Sequence, residues 1–254
     1  MRLALLSDIH ANRQALDACL AHAQAAGAER LAFLGDLVGY GGDPAYVVQR
    51  VMELAAQGAL VVKGNHDVYA IEAMGEGKTL GQAGVLWTQQ QLSVEQRRFL
   101  AELPLTLHQP PLLLVHASAA APDRWHYVET PQLAALSLDA ACEPPIGGPD
   151  VHYVFGGHVH RQTLYYRGGT GKLIPFTPTP GVPIPVPRHR RWLATVGSVG
   201  QPRDGRSDAM YALFDDAAQQ LTFHRVPYDA AAAAQAIRAT PMPPFFADRL
   251  ELGR

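Results

Sequence analysis

Polar side chains that can bind metal ions follow five short apolar segments of this chain of 254 residues. They are Asp8 and His10, Asp36, Asn65 and His66, His116, and His158 and His160. This mixture of carboxylate, amide and imidazole groups without a thiolate suits Mn, Fe, Co, Ni or Zn better than calcium or a soft metal. One ion cannot use so many groups, whereas two ions about 3.5–4 Å apart that share a carboxylate would use them all. We therefore predict a site for two metal ions.

Each fragment by itself also has a structural interpretation. Asp36 after Gly35, and Asp67 after His66, are suited to capping a helix. The segment from Gly157 to His160 is rarer, because histidines two residues apart in an extended chain point to the same side. The repetition of polar residues directly after apolar runs favours a metal site over ordinary turns.

Buried strands must position these residues. The apolar runs at 3–6, 31–34, 60–62, 112–115 and 151–155 indicate strands, and helical spacing over 12–26 and 44–57 predicts helices between the first three. This alternation is typical of a parallel sheet, in which ligands bind at the carboxyl ends of the strands. We further predict a helical region over 79–102, a second and more antiparallel sheet, and an alanine-rich helix over 229–239. The second sheet would contain residues 165–166, 193–196, 211–214 and 221–226.

Composition excludes several classes of protein. The chain is 48% hydrophobic and 17% charged, so it can bury a core, and a net charge of −2 argues against a stable nucleic-acid complex. Two cysteines, Cys19 and Cys142, cannot make a disulfide framework or a thiolate zinc site. The first residues are too polar for a signal peptide, and no apolar run approaches the roughly 20 residues of a membrane span. We expect one cytoplasmic domain over residues 1–254, with no membrane association.

Two segments in the C-terminal half have a composition of their own. Residues 175–187 contain six prolines, which exclude a helix and leave either an extended surface loop or a rim over the active site. Residues 188–191, Arg-His-Arg-Arg, form either a solvated face or a surface that attracts polyanionic substrates.

In their order along the chain, the polar fragments resemble the five sequence blocks of the calcineurin-like metallophosphoesterase superfamily. The blocks are Asp8-Ile9-His10, Gly35-Asp36, Gly64-Asn65-His66-Asp67, His116 and Gly157-His158-Val159-His160. Residues 197–204, Gly-Ser-Val-Gly-Gln-Pro-Arg-Asp, are similar to a block in the bacterial phosphodiesterase branch. The resemblance implies an α/β fold, a four-layer αββα sandwich of two mixed sheets with a dinuclear metal site at the C-terminal ends of the strands. It also implies two divalent transition metal ions, Mn²⁺ or Fe, with Zn²⁺, Ni²⁺ or Co²⁺ as alternatives.

The same resemblance implies roles for individual residues. One ion would be held by Asp8, His10, Asp36 and His160. The other would be held by Asp36, Asn65, His116 and His158, so that Asp36 bridges the two. His66 would act beside the ions as a general acid or hydrogen-bond donor, and Asp67 would orient its imidazole.

The implied reaction is hydrolysis of phosphodiester or nucleotide phosphoanhydride bonds, by attack of a metal-bridging hydroxide on a small phosphate ester or nucleotide. Protein phosphatases of the superfamily carry an arginine in the second block, whereas residues 35–41 here read Gly-Asp-Leu-Val-Gly-Tyr-Gly. A phosphodiesterase is therefore favoured over a phosphomonoesterase or protein phosphatase. A non-catalytic metal-binding scaffold is the other alternative, and the retained His66 argues against it.

Four further residues are candidate substrate contacts, and three of them also have a structural interpretation. Asn12 contacts phosphate or caps the following helix, and Tyr40 stacks on a base or packs on its neighbours. Arg203 binds substrate or makes a structural salt bridge, and Arg13 follows the first metal-binding loop. His126, between Trp125 and Tyr127, is expected to serve packing rather than catalysis.

Overall fold

The structure, a computed structural model, describes residues 1–72, 79–168 and 171–254. The strands within these ranges are β1 (Arg2–Leu6), β2 (Arg30–Leu34), β3 (Leu60–Val62), β4 (Thr106–Gln109), β5 (Leu112–Val115), β6 (Tyr153–Gly156), β7 (Gln162–Arg167), β8 (Leu173–Phe176), β9 (Ile184–Pro185), β10 (Trp192–Val196), β11 (Ala209–Asp215) and β12 (Gln220–Val226). The α-helices are α1 (Arg13–Ala25), α2 (Pro44–Ala56), α3 (Asn65–Tyr69), α4 (Leu80–Gln91), α5 (Val94–Glu102), α6 (Pro131–Ala141), α7 (Ala230–Arg238) and α8 (Phe245–Leu252). In these ranges no helix is long and apolar enough to cross a membrane.

The first sheet has the strand order β3-β2-β1-β11-β12-β9. Strands β1, β2 and β3 are parallel and are connected by α1 and α2, as the alternating pattern predicts. The prediction that β11 and β12 belong to the second sheet is wrong, because β11 pairs antiparallel with β1 along Arg2 to Leu5. The hydrogen-bonding edge of β1 that β2 leaves free is therefore occupied by a strand more than 200 residues later in the chain.

The second sheet has the order β4-β5-β6-β10-β7-β8, with β5, β6 and β10 parallel and the other pairs antiparallel. Strands β5 and β6 carry two of the five candidate metal-binding fragments. The fragments therefore come from the strand ends of both sheets, which must align for the fragments to meet.

The two sheets pack face to face, and helices cover their outer faces. On β1, Leu3 and Leu5 face the second sheet, whereas Ala4 and Leu6 pack with residues of α1 and α2. On β5, Leu112 and Leu114 face the first sheet, whereas Leu113 and Val115 pack under α6. Successive residues of a strand point to opposite faces, so continuous apolar runs are what doubly covered strands require. The predicted four-layer sandwich of two mixed sheets is confirmed.

Several elements differ from their prediction in extent. The helical region over 79–102 consists of α4 and α5, because Ser93 caps a new helix by accepting a hydrogen bond from the amide of Gln96. The third metal-binding fragment forms the short helix α3 directly after β3, and α8 follows the predicted alanine-rich helix α7.

The proline-rich segment joins the outer edges of the two sheets. It contains the end of β8 at the edge of the second sheet and all of β9 at the edge of the first, where proline is tolerated. Most of its residues are exposed, and Val186 anchors it between the sheets, where the Tyr153 hydroxyl donates to the Val186 carbonyl at 2.7 Å. This arrangement agrees with the surface-loop interpretation. Arg188 beside it is exposed and pairs with Asp216.

Candidate metal centre

The five fragments meet at one end of the sandwich. Asp8 and His10 follow β1, Asp36 follows β2, and Asn65 and His66 begin α3 after β3. From the second sheet, His116 follows β5, and His158 and His160 follow β6. Three groups of these side chains each have candidate ligand atoms within 4.8 Å of one another: Asp8, His10 and His160; His10, Asp36 and His66; and Asp36, His116 and His158.

Asp8 directs one carboxylate oxygen towards the first group, and its other carboxylate oxygen accepts a backbone hydrogen bond. Its Oδ2 accepts a hydrogen bond of 2.9 Å from the amide of His158. Its Oδ1 lies 3.1 Å from Nε2 of His160 and 3.8 Å from Nε2 of His10. This Oδ1 atom is buried and has no hydrogen-bond partner among the described residues, as expected for an oxygen that a cation would bind.

Asp36 lies between the groups and is oriented in the same way. Its Oδ1 accepts a hydrogen bond of 2.8 Å from the amide of His66. Its Oδ2 lies 3.7 Å from Nε2 of His10 on one side and 3.4 Å from Nε2 of His116 on the other. A single carboxylate oxygen therefore faces both halves of the cluster.

His116 is the centre of the other half. Its Nε2 lies 3.2 Å from Nδ1 of His158 and 3.3 Å from the amide oxygen of Asn65. The seven predicted metal-binding side chains are thus brought together around Asp36, and His66 lies in a further group with His10 and Asp36.

Backbone carbonyls determine which imidazole nitrogen faces the cluster. Nδ1 of His10 lies 3.1 Å from the Val38 carbonyl, and Nδ1 of His160 lies 2.6 Å from the Gln201 carbonyl. A carbonyl only accepts, so each Nδ1 donates and each Nε2 of a neutral ring carries a lone pair. These two Nε2 atoms lie 3.2 Å apart, and two lone pairs at this distance repel unless a cation lies between them. The lone pairs of His10 and His160 therefore suit the binding of a metal ion between them.

Burial and neighbouring charges shift the protonation of the cluster. Burial lowers the pKa of His158 to about 4 and holds the pKa of His10 well below its usual range. Burial by itself raises the pKa of Asp36, but the nearby His116 and His66 outweigh it and hold that pKa well below its usual range. Burial also opposes a charge on His116, but Asp36 outweighs it and raises the pKa of His116 to about 9. Neutral imidazoles and ionised carboxylates are the metal-binding forms, and a bound cation would displace the remaining proton.

Five of the seven residues have a left-handed backbone. The φ angles are 53° for Asp8, 49° for His10, 53° for Asp36, 66° for His158 and 58° for His160. Side chains with a Cβ rarely adopt this region, at a cost of roughly 1–2 kcal/mol each. These residues turn the chain sharply at the strand ends, and such strain is concentrated at functional sites.

His66 lies beside the cluster, whereas Asp67 does not orient it. The imidazole of His66 packs on Tyr40 at a ring distance of 4.4 Å and edge-on to His10 at 5.1 Å. The Asp67 carboxylate instead accepts backbone hydrogen bonds from Leu37 at 2.8 Å and Gly64 at 2.9 Å. The expected orienting contact is therefore wrong: the carboxylate lies at the start of α3, where its role is to join the loops that carry Asp36 and Asn65. Burial, with the charge of Asp36, raises the pKa of Asp67 to about 7.

Asn12 and Arg13 are engaged in structural contacts. Asn12 caps α1, because its side-chain oxygen accepts a hydrogen bond of 3.0 Å from the backbone amide of Ala15. Its side-chain nitrogen donates to the Gly200 carbonyl and the Tyr228 hydroxyl. Arg13 is exposed, pairs with Asp17 at 3.7 Å and covers the ring of Tyr46. These contacts support the capping alternative for Asn12 and leave Arg13 without a contact to the cluster.

Tyr40 and Arg203 lie next to the cluster. The ring of Tyr40 packs against His10 at 4.6 Å as well as against His66, which supports the packing alternative. Arg203 is half-buried and donates to the side chain of Gln201 at 3.1 Å, while its buried Nε has no hydrogen-bond partner in the part of the chain that the structure describes. The backbone carbonyl of Gln201 accepts a hydrogen bond from His160. Arg203 therefore lies two positions along the chain from a residue that contacts the candidate metal centre.

Sequence reasoning missed the aromatic residues that surround the site. Tyr127 stacks on His158 at 4.0 Å, and Trp125 packs edge-on to His116 at 5.9 Å. Phe246 of α8 packs on Tyr40 at 5.3 Å. Residues 125–127 are three adjacent ring side chains, which is the signal in the sequence that could have indicated Trp125 and Tyr127. His126, which was expected to serve packing, is exposed.

Residues 1–218 match the model of the calcineurin-like phosphoesterase superfamily domain. The chain belongs to the calcineurin-like phosphoesterase superfamily. Within it, the chain is 30% identical over 263 aligned residues to an uncharacterised protein of Methanocaldococcus jannaschii, covering 99% of this chain and 98% of that protein. It is 33% identical to the crystal structure of a metallophosphoesterase from Sphaerobacter thermophilus, with a TM-score of 0.87 over all of both chains.

A hypothetical protein from Pyrococcus horikoshii shares the fold, with a TM-score of 0.78 and 19% identity over 100% of this chain and 98% of that one. The superfamily resemblance is therefore confirmed. Membership in the calcineurin-like phosphoesterases supports a hydrolase of phosphate esters that uses divalent metal ions, and the His and Asp groups described above are candidate sites for them.

Proposed function

We propose that the protein is a dinuclear metallophosphoesterase that hydrolyses phosphodiester or nucleotide phosphoanhydride bonds. The observation that carries the proposal is the position of Asp36, whose Oδ2 faces His10 at 3.7 Å and His116 at 3.4 Å. A carboxylate shared in this way is what two adjacent cations require.

In this proposal the first ion is held by Asp8, His10, Asp36 and His160. The second is held by Asp36, Asn65, His116 and His158. When bound, the two cations neutralise phosphoryl oxygens and lower the pKa of a coordinated water. The donor set of nitrogen and oxygen atoms suits Mn²⁺, Fe, Co²⁺, Ni²⁺ or Zn²⁺. The resemblance to the superfamily favours Mn²⁺ or Fe among them, and metal analysis of the purified protein identifies the occupant.

The chain itself positions the groups around the reacting phosphate. His66 lies within 4.8 Å of ligand atoms of His10 and Asp36 and is partly exposed, so it can donate a hydrogen bond to a phosphoryl oxygen or a proton to the leaving group. Arg203 is partly exposed and donates to the side chain of Gln201, whose carbonyl contacts His160, so its guanidinium can supply positive charge to an anionic substrate.

We also propose that residues 1–254 act as one domain. The pairing of β11 with β1 joins the two ends of the chain in one sheet, and Phe246 of α8 packs directly on Tyr40 beside the candidate site.

The test is hydrolysis of bis(4-nitrophenyl) phosphate and of 4-nitrophenyl phosphate by the same Mn²⁺-loaded sample. We expect the diester to be hydrolysed faster, and Asp36→Asn to abolish both activities. The matched control is Asp123→Asn, which changes an exposed carboxylate whose partner is its neighbour Arg124. Faster hydrolysis of the monoester would overturn the diesterase assignment, and no hydrolysis of either would favour a non-catalytic scaffold.

A further inference from the structure

A cavity of about 390 Å³ opens beside His66, next to the candidate metal centre. Its walls carry four aromatic residues from separate parts of the chain, Tyr40, Tyr69, Tyr127 and Phe246. None of these four is needed to hold a metal ion. The cavity is within the range of roughly 300–1,000 Å³ that is usual for small-molecule sites.

The aromatic wall formed by these four residues packs against side chains of the candidate metal centre and against His66 beside it. Tyr127 stacks on His158 with ring centres 4.0 Å apart and planes inclined by 25°. Tyr69 meets the ring of His66 edge-on at 5.6 Å, and Phe246 packs on Tyr40 at 5.3 Å. A group bound against these rings is therefore placed at a defined distance from a phosphate at the metal centre.

The wall is also open to a ligand. Tyr69 and Tyr127 remain 37% and 46% exposed, although both are large side chains that would gain from burial. Gly81 and Gly84 of α4 contribute no side chain to the opposite wall, which leaves room for a flat group. Among the described residues that line the cavity, none is an aspartate, glutamate, lysine or arginine, and His66 lies on the side of the metal centre. The cavity thus suits the uncharged part of a substrate whose phosphate lies at the metal ions.

We propose that this cavity binds the nucleobase of a nucleoside phosphate ester, by stacking on Tyr69 and Tyr127. The proposal rests on the phosphoesterase function proposed above and specifies its substrate class. A purine or pyrimidine is planar and largely uncharged, and it stacks on aromatic side chains with little dependence on which base it is. An aliphatic ester group would gain none of this stacking.

The test is isothermal titration calorimetry of the Mn²⁺-loaded protein with adenosine 5′-monophosphate and with ribose 5-phosphate. The two ligands share the phosphate and the sugar and differ in the base. We expect the nucleotide to bind at least about tenfold more tightly, the equivalent of one stacked base. Tyr69→Leu and Tyr127→Leu should each reduce this ratio several-fold, and Tyr127→Phe should retain it.

The matched control is Phe176→Leu, which removes an aromatic ring that is 44% exposed on β8 and does not line the cavity. Equal affinities for the two ligands, no binding of either, or a ratio unaffected by both tyrosine variants would overturn the proposal. Failure of the proposed function gives a different result. A protein that hydrolyses the nitrophenyl diester but shows no preference for the nucleotide retains its function without the base site, and a protein that prefers the nucleotide but hydrolyses no ester retains the site without the function.

Discussion

The backbone amide of His158 donates a hydrogen bond of 2.9 Å to Oδ2 of Asp8, and the two residues are 150 positions apart in the chain. Asp8 follows β1 of the first sheet, whereas His158 follows β6 of the second. The bond therefore joins the ends of the two sheets at the candidate metal centre. It also turns the other oxygen of Asp8 towards His160, at 3.1 Å from Nε2.

Gly157→Ala should disrupt this junction. A Cβ at Gly157 would overlap Oγ of Ser7 and Oδ2 of Asp8, so the two strand ends would have to move apart. We expect a loss of roughly 1–3 kcal/mol in the free energy of unfolding, measured by urea denaturation. Gly81→Ala is the matched control, because among the described residues its Cβ meets only Oγ1 of Thr79 at 4.0 Å, and alanine favours the helix. An equal effect of both substitutions would contradict the steric explanation.

Asp36→Asn should lower metal content more than the loss of any other single ligand. The substitution removes the negative charge that faces both halves of the cluster, and two cations would then repel each other with less compensation. Metal analysis of the purified variant, beside Asp8→Asn as a ligand of one group only, measures this difference. Retention of both ions by Asp36→Asn would exclude a bridging role.

His66→Ala should keep the metal ions and lose turnover. If His66 is a donor beside the ions, all seven proposed ligands remain and the rate falls by roughly 10²–10⁴-fold. A smaller loss with nitrophenolate than with a poor leaving group would indicate proton donation, and an equal loss would indicate a hydrogen bond to the phosphoryl oxygen. Metal stoichiometry is measured on the same sample, because a loss of metal would instead make His66 a ligand.

Asp67→Ala should destabilise the protein, since the carboxylate accepts hydrogen bonds from the buried amides of Leu37 and Gly64. Leaving both amides without an acceptor costs roughly 2–4 kcal/mol in the free energy of unfolding. Urea denaturation in the presence of a chelator checks this value without a contribution from bound metal. An unchanged midpoint together with a reduced turnover would restore the view that Asp67 acts through His66.

His224 should make stability dependent on pH at a distance from the candidate metal centre. Burial, with a contribution from His22, lowers the pKa of His224 to about 4, whereas an unfolded histidine titrates near about 6.5. Below that value the unfolded chain binds a proton that the folded protein does not, so stability is lost as the pH falls from about 6.5 towards 4. His224→Phe retains the stacking on Tyr211 and should flatten the profile of urea midpoints in this range. Parallel profiles for the two proteins would show that His224 does not titrate as described.

The sequence by itself determined which residues could bind metal ions and that each follows a buried strand. An apolar run such as Leu3 to Leu6, ended by Asp8 and His10, is a local pattern, and local patterns follow from the periodicity of strands and helices. The order of the fragments was enough to recognise the superfamily and, through it, the layered fold. The same local signals located α1 and α2 to within a residue or two.

Only the tertiary structure decided how these parts meet. The pairing of β11 with β1 uses backbone groups on both strands, and the bond from His158 to Asp8 has a backbone amide as its donor, so no side-chain pattern marks either pair of partners in the sequence. The position of Asp67 was misjudged for the same reason, because its partners are the amides of Leu37 and Gly64. Tyr127 and Phe246 reach the site from a loop and a helix without a sequence signature, and they line one cavity because the packing of the two sheets and α8 brings distant segments together.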